Sequence, residues 1–202
     1  MRNSVGADML FERLDMSGAA LVRIDRRSDA RGFFARTFCM REFEAEGLPA
    51  AVVQASISYN ERSGTVRGLH FQWPPSREAK LVRCVRGSLF DVLLDLRPAS
   101  ATYLEHRVVS LDDDNRDAVL IPPGVAHGFQ TLADHTEVLY QMSDFFAPDL
   151  GATVRWDDPA FGIRWPLPVS EISERDAACP PFHRREFEAE LARRAGATAN
   201  AT

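Results

Sequence analysis

The chain has 202 residues, enough for one domain with a sizeable core and short for two. Its 45% hydrophobic and 26% charged residues are those of an ordinary globular protein, and a net charge of -5 speaks against nucleic acid, whose binding calls for a basic face. No apolar run reaches the ~18 residues that cross a bilayer, and the opening MRNSVGADMLFERLD carries acids within its apolar part and lacks a signal-peptide core, so a cytoplasmic protein off the membrane is expected.

From about Ala20 to Phe146 the chain reads as short β-rich runs with turn signals roughly every 8–12 residues. ALVRI and GFFARTF come first, followed by a helical segment, MREFEAEGL, that Gly47 stops. AVVQASISYN, GTVRGLHFQ, KLVRCV and SLFDVLLDL follow, separated by the turn residues of Asn60 to Gly64, Trp73-Pro74-Pro75 and Arg86-Gly87. TYLEHRVVSL, AVLIPP, HGFQTL and TEVLYQMSDFF complete the set, with Asp112 to Asn115 turning the chain between the first two. Near the end, REFEAELARRAG carries i,i+4 charge pairs of a helix and runs into an Ala/Thr/Asn tail expected to fray. Many strands, few helices and no βαβ alternation predict an all-β barrel or jelly roll, with a core over about residues 20–180 and a C-terminal helix and tail over 183–202.

Cys39, Cys84 and Cys179 form neither a disulfide framework nor a zinc signature. Among the 24 basic residues only Lys80 is a lysine, a compact ammonium where guanidinium stands everywhere else. In KLVRCV, Lys80 shares a face with Val82 and Cys84, opposite Leu81 and Arg83. Parity alone does not say which face is inside; if it is that of Val82 and Cys84, Lys80 points into the barrel and needs a partner or a task. In TEVLYQM, Tyr140 shares its face with Val138 and Met142.

Two stretches are dense in chemistry: Arg67-Gly68-Leu69-His70-Phe71-Gln72, followed by Lys80, and Ile121 to Phe129 with His127. A metal centre is one reading, but two histidines flanked by an amide and an ammonium make a poor cage for a divalent cation. Proton transfer is the other. Inverting a carbon beside a ketone needs a base, a proton donor on the opposite side and positive charge at the enolate oxygen. His70 suits the base, Tyr140 the donor and Lys80 the oxygen, while each singly is also an ordinary strand residue.

From about Asp29 to Asp176 the chain resembles the dTDP-4-dehydrorhamnose 3,5-epimerase family. The resemblance rests on D-x-R-G-F-F, V-R-G-L-H-F-Q, K-L-V-R-C-V-R-G, D-V-L-L-D-L-R, I-P-P-G-V-A-H-G-F, V-L-Y-Q-M, R-W-D-D-P-A-F-G-I-x-W-P and I-S-E-R-D, in this order. It implies a cupin-type jelly roll that inverts C5, C3 or both of a nucleotide-diphospho-4-keto-6-deoxyhexose in deoxysugar synthesis. It further implies that no metal and no redox cofactor take part, and that the protein acts as a homodimer with exchanged N-terminal strands. By the same resemblance His70 is the base and Asp176 its carboxylate partner, Tyr140 is the acid, and Lys80 and His127 line the sugar pocket. Arg67 and Arg31 hold the diphosphate, and Gln54 contacts substrate, as does Gln72. Two departures fall on the substrate-facing set: Arg36 stands where the family tends to have an acid, and Ser56 where it tends to have an asparagine. They point to a side branch with a different nucleotide or sugar. Two rival readings stay open at this stage, a nucleotide-sugar binding cupin without turnover and a metal-dependent cupin enzyme.

Overall fold

A computed structural model describes residues 9–199. Strands β1 (Leu10–Arg13) and β2 (Ala20–Arg23) lead to a small hairpin, β3 (Arg27–Asp29) and β4 (Gly32–Phe34), and to helix α1 (Met40–Ala45). Eight strands follow: β5 (Gln54–Asn60), β6 (Thr65–Gln72), β7 (Lys80–Arg86), β8 (Ser88–Asp95), β9 (His106–Asp112), β10 (Ala118–Ile121), β11 (Val125–Thr131) and β12 (Thr136–Met142). A 3-10 turn at Pro148–Leu150 precedes β13 (Gly151–Thr153), β14 (Glu171–Ile172), α2 (Glu174–Ala177) and α3 (Arg184–Ala199).

The strands form two sheets, ordered β1-β2-β10-β7-β12-β5 and β13-β6-β11-β8-β9, with β14 added in parallel to β6. Among the described residues the hairpin β3–β4 pairs only with itself. The two sheets enclose a common core that includes Val82, Cys84, Leu89, Val119, Phe129 and Val138. This is the jelly roll expected from the strand spacing, of the cupin type that the family resemblance implies.

Both outer faces are covered as well. Leu81, Leu120 and Val22 pack outside the first sheet beneath Phe43 of α1. Leu69, Phe71, Val92 and Leu94 pack outside the second beneath Phe161 and Phe187. Sheets buried on two sides do not alternate cleanly between polar and apolar residues. That is why the strand runs alternate so poorly.

Three expectations need correction. GFFARTF is strand only to Phe34; beyond it the chain runs unpaired into α1, and Phe38 packs on Phe43 with ring centroids 5.0 Å apart. TYLEHRVVSL begins as a turn, in which Leu104 has φ 65° and donates its amide to the Asp95 carbonyl, and extends as strand only from His106. The C-terminal helix expected from sequence packs on the second sheet, where Phe187 of α3 is buried against Phe71, Trp73 and Phe182. The helix continues to Ala199, and the rest of the tail and the first eight residues of the opening segment lie outside the described residues.

Candidate active site

The site is built where β6 and β11 approach most closely. His70 and His127 are direct partners in their antiparallel ladder, so both side chains leave the same face of the sheet. Just beside them the register shifts between His127 and Phe129. A side chain at Gly68, whose φ is +123°, would put its Cβ 2.6 Å from the Cα of Gly128, and one at Gly128 would meet the Arg67 carbonyl at 2.7 Å. Only glycine allows the strands so near each other. The R-G-L-H and H-G-F motifs therefore fix where the two imidazoles stand.

His70 is paired from outside the barrel. Ser173 caps α2, its hydroxyl accepting the Asp176 amide N–H at 3.1 Å, and the helix turns the Asp176 side chain inward. The Asp176 Oδ1 lies 2.8 Å from His70 Nε2, while Oδ2 accepts the Gly68 amide at 3.2 Å. The carboxylate side chain is 4% exposed. Burial alone would raise its pKa, but the hydrogen bond and charge of His70, with the Gly68 amide and Ser173, outweigh it and hold the group below the usual aspartate value. An imidazole that donates Nε2–H to an ionised carboxylate offers Nδ1 as a base.

The face of Val82 and Cys84 is the inner one, so Lys80 points inward, 3.5 Å from the Glu78 carboxylate. Tyr140 is on the same inner face, paired with Val82 on one side and Ser56 on the other. Its hydroxyl is 3.4 Å from Ser58 Oγ, and its ring stands edge-on to His127 at 6.3 Å. Burial pushes the phenol up to about 12, against the hydrogen bond from Ser58. His127 is itself buried, its Nε2 2.9 Å from Asp91 Oδ2. It is enclosed between Asp91 and Tyr140, behind the open part of the site. Arg67 Nε donates to Asn60 Oδ1 at 2.7 Å, and Asn60 reaches Ser58 Oγ at 3.5 Å, so a polar chain joins Arg67 to Tyr140.

Two clefts open onto this face. The larger, of about 450 Å³, is lined by Thr65, Arg67, His70, Glu171, Arg175 and Asp176. The smaller, of about 230 Å³, is lined by His70, Gln72, Glu78, Lys80, Phe146 and Arg175 among others. His70 and Arg175 belong to both, and so stand at the junction. Gln54, on the rung of Lys80 and Met142, accepts the Phe146 amide at 2.5 Å.

The remaining substrate-binding expectations are placed elsewhere in this chain. Arg31 projects from the β3–β4 hairpin, its side chain 89% exposed and ion-paired to Asp29. Arg36 bonds Glu42 of α1 at 2.6 Å. Neither lines the two clefts. Conversely, Arg175 and Glu78 line them and were not expected from sequence; the one signal was adjacency, to Asp176 in I-S-E-R-D and to Lys80. Among the described residues no three His, Cys, Asp or Glu side chains gather as a metal centre would require.

Comparison with known proteins finds relatives in both sequence and fold. The family described as dTDP-4-dehydrorhamnose 3,5-epimerase matches residues 13–184. The dTDP-4-dehydrorhamnose 3,5-epimerase of Methanothermobacter thermautotrophicus is 40% identical over 179 residues, 87% of this chain and 96% of its own. The solved structure of NovW, a 4-keto-6-deoxy sugar epimerase from the novobiocin gene cluster of Streptomyces spheroides, is similar with a TM-score of 0.84 and 35% identity, over 92% of this chain and 93% of its own. The dTDP-6-deoxy-D-glucose-3,5-epimerase of Legionella pneumophila, solved with dTDP-4-keto-L-rhamnose, gives a TM-score of 0.83 and 31% identity, over 91% and 96%. In sequence and in fold, the chain belongs to the dTDP-4-dehydrorhamnose 3,5-epimerase family.

Proposed function

We propose that the chain epimerises a nucleotide-diphospho-4-keto-6-deoxyhexose, with His70 and Asp176 as its base and Tyr140 as its acid. The observation that carries this reading is the buried Asp176 carboxylate 2.8 Å from His70, at the junction of two clefts. His70 removes the proton from the carbon next to the C4 ketone, and the electron pair of that C–H bond moves into an enolate whose charge rests on O4. Lys80 answers that charge with its ammonium. Tyr140 then gives its hydroxyl proton to the same carbon from the opposite face, and water restores it. The two adjacent carbons, C3 and C5, are both open to this chemistry. Arg67 and Arg175 supply forked cationic donors for the diphosphate in the larger cleft. The sugar is placed in the smaller cleft, against Lys80.

The working unit of this reading is a homodimer in the cytoplasm. An unpartnered hairpin with Phe34 74% exposed, and an edge strand β5 presenting Ile57 and Tyr59, are surfaces that a second copy would cover. Exchange of N-terminal strands would carry Arg31 and Arg36 toward the partner's larger cleft.

Incubation with dTDP-, CDP- and GDP-linked 4-keto-6-deoxyhexoses in heavy water, followed by NMR, tests the reading. Deuterium is expected at C5, C3 or both with one of these nucleotides, and His70→Ala should abolish its uptake. Binding without any uptake would leave a sugar-nucleotide binder in place of an enzyme.

A further inference from the structure

Glu78 is an acid that the chemistry above does not use. It stands just ahead of β7, its side chain 8% exposed, on the wall of the smaller cleft beside His70 and Lys80. Among the described residues the Lys80 ammonium, at 3.5 Å, is the sole charged partner of its carboxylate. Gln72 lines the same cleft, and its Oε1 is buried with no hydrogen-bond partner. This end of the cleft therefore offers one cationic donor, one buried acceptor in want of a donor at Gln72 Oε1, and the Glu78 carboxylate with Lys80 at 3.5 Å. Acceptors shut away from water are costly until a ligand supplies an N–H or O–H.

We propose that Glu78, seconded by Gln72, reads the C3 substituent of the hexose and requires a hydrogen-bond donor there, a hydroxyl or an amine. The proposal rests on the placement of the ketone at Lys80 given above. O4 of the substrate can only accept, so it takes the ammonium. Of the two carbons next to C4, C5 carries a methyl group and the ring oxygen, neither of which donates. C3 carries the one neighbouring group that can. Vicinal substituents on a hexose ring lie about a hydrogen-bond length, ~3 Å, from one another. A group at C3 therefore meets the carboxylate next to Lys80 when O4 meets Lys80 itself. A sugar lacking that donor would strand Glu78 and Gln72 together, and polar sites reject such analogues strongly.

The test uses sugars that cannot turn over. Calorimetry compares wild-type, Glu78→Gln and Glu78→Ala proteins against dTDP-linked 6-deoxyhexoses that carry a hydroxyl in place of the C4 ketone and a hydroxyl, an amine or hydrogen at C3. Wild type is expected to bind the 3-deoxy sugar at least about tenfold more weakly than the 3-hydroxy sugar, and Glu78→Ala to lose most of that difference. Glu78→Gln keeps an acceptor, so it should still prefer a donor at C3 while losing any preference for amine over hydroxyl. Plain dTDP should bind all three proteins alike, which reports an intact fold; if Glu78→Ala fails that control, the amine-to-hydroxyl ratio of Glu78→Gln decides. Equal binding of 3-hydroxy and 3-deoxy sugars by wild type overturns the proposal, as does a Glu78→Ala protein that weakens both equally. These arms need no catalysis. A failure of deuterium uptake would sink the epimerase reading alone, and a flat binding series the role of Glu78 alone.

Discussion

Asp176 and His70 are 106 positions apart in the chain and 2.8 Å apart in the fold. The carboxylate spans two tasks, orienting the imidazole through Oδ1 and bonding the Gly68 amide through Oδ2, so ring and strand are held together. In Asp176→Asn the amide oxygen can still accept from Gly68, but no negative charge faces the imidazolium as it forms. Solvent-deuterium uptake and epimer formation are expected to fall together by about 10²–10⁴-fold with little change in Tm. Equal rates in the two proteins, measured by NMR, would remove Asp176 from the mechanism.

Tyr140→Phe separates the two halves of the reaction. Proton removal at His70 should continue, seen as deuterium wash-in, while formation of the inverted product falls by about 10²-fold or more. An unshifted phenol begins to lose its proton as pH approaches about 10. Tyr140 is pushed up to about 12 by burial, so it stays protonated over that whole range. The pH profile of kcat should accordingly show no alkaline limb from this group near pH 10. Ser58→Ala, which removes the one hydroxyl beside the phenol, should slow product formation more than wash-in.

The outer core beneath α3 makes a stability prediction. Phe187 buries its ring among Phe71, Trp73 and Phe182, and Phe187→Ala should cost about 3–5 kcal/mol. Denaturant unfolding measures it directly. A loss under about 1 kcal/mol would mean that α3 adds little to the stability of the fold.

Acid should act through Asp95. Burial raises its pKa, but hydrogen bonds from Arg97, Ser100 and Thr102 prevail and hold it at about 2, below the 3.8 of an ordinary aspartate. Its pKa is lower in the folded chain than in the unfolded one. Its contribution, about 2 kcal/mol from a shift of this size, is therefore complete above about pH 4 and is lost as pH falls toward 2. Asp95→Asn should flatten the pH dependence of stability across that window, read from urea midpoints at successive pH values.

The sequence carried some of this plainly and hid the rest. The strands that hold His70, Lys80 and Tyr140 are seven or eight residues long with β-branched and aromatic content, and their turns are marked by glycine and proline. Which face of KLVRCV turned inward was not legible, because Leu81 and Val82 are both buried, in different cores. Asp176 was accessible through family resemblance alone. It rides on a four-residue helix behind a two-residue strand, both too short to carry a period. Arg175 and Glu78 carry no local signal in the sequence that tells a cleft wall from a surface. Arg31 and Arg36 lie on segments whose pairing within one chain is slight, and their sequence says nothing of what they would meet in a second copy.

Strand β14 and helix α2 come after every other strand and are joined to them by a parallel pairing of Glu171 and Ile172 with Thr65 and Val66. A chain leaving the ribosome can thus wrap all its other strands around the apolar interior before Asp176 has been synthesised. At that stage His70 faces an open groove without its acid. On the proposed mechanism the base is present in such a chain but lacks the carboxylate that orients it, so an unfinished protein would deprotonate a reactive keto-sugar far more slowly than one in which β14 and α2 have docked.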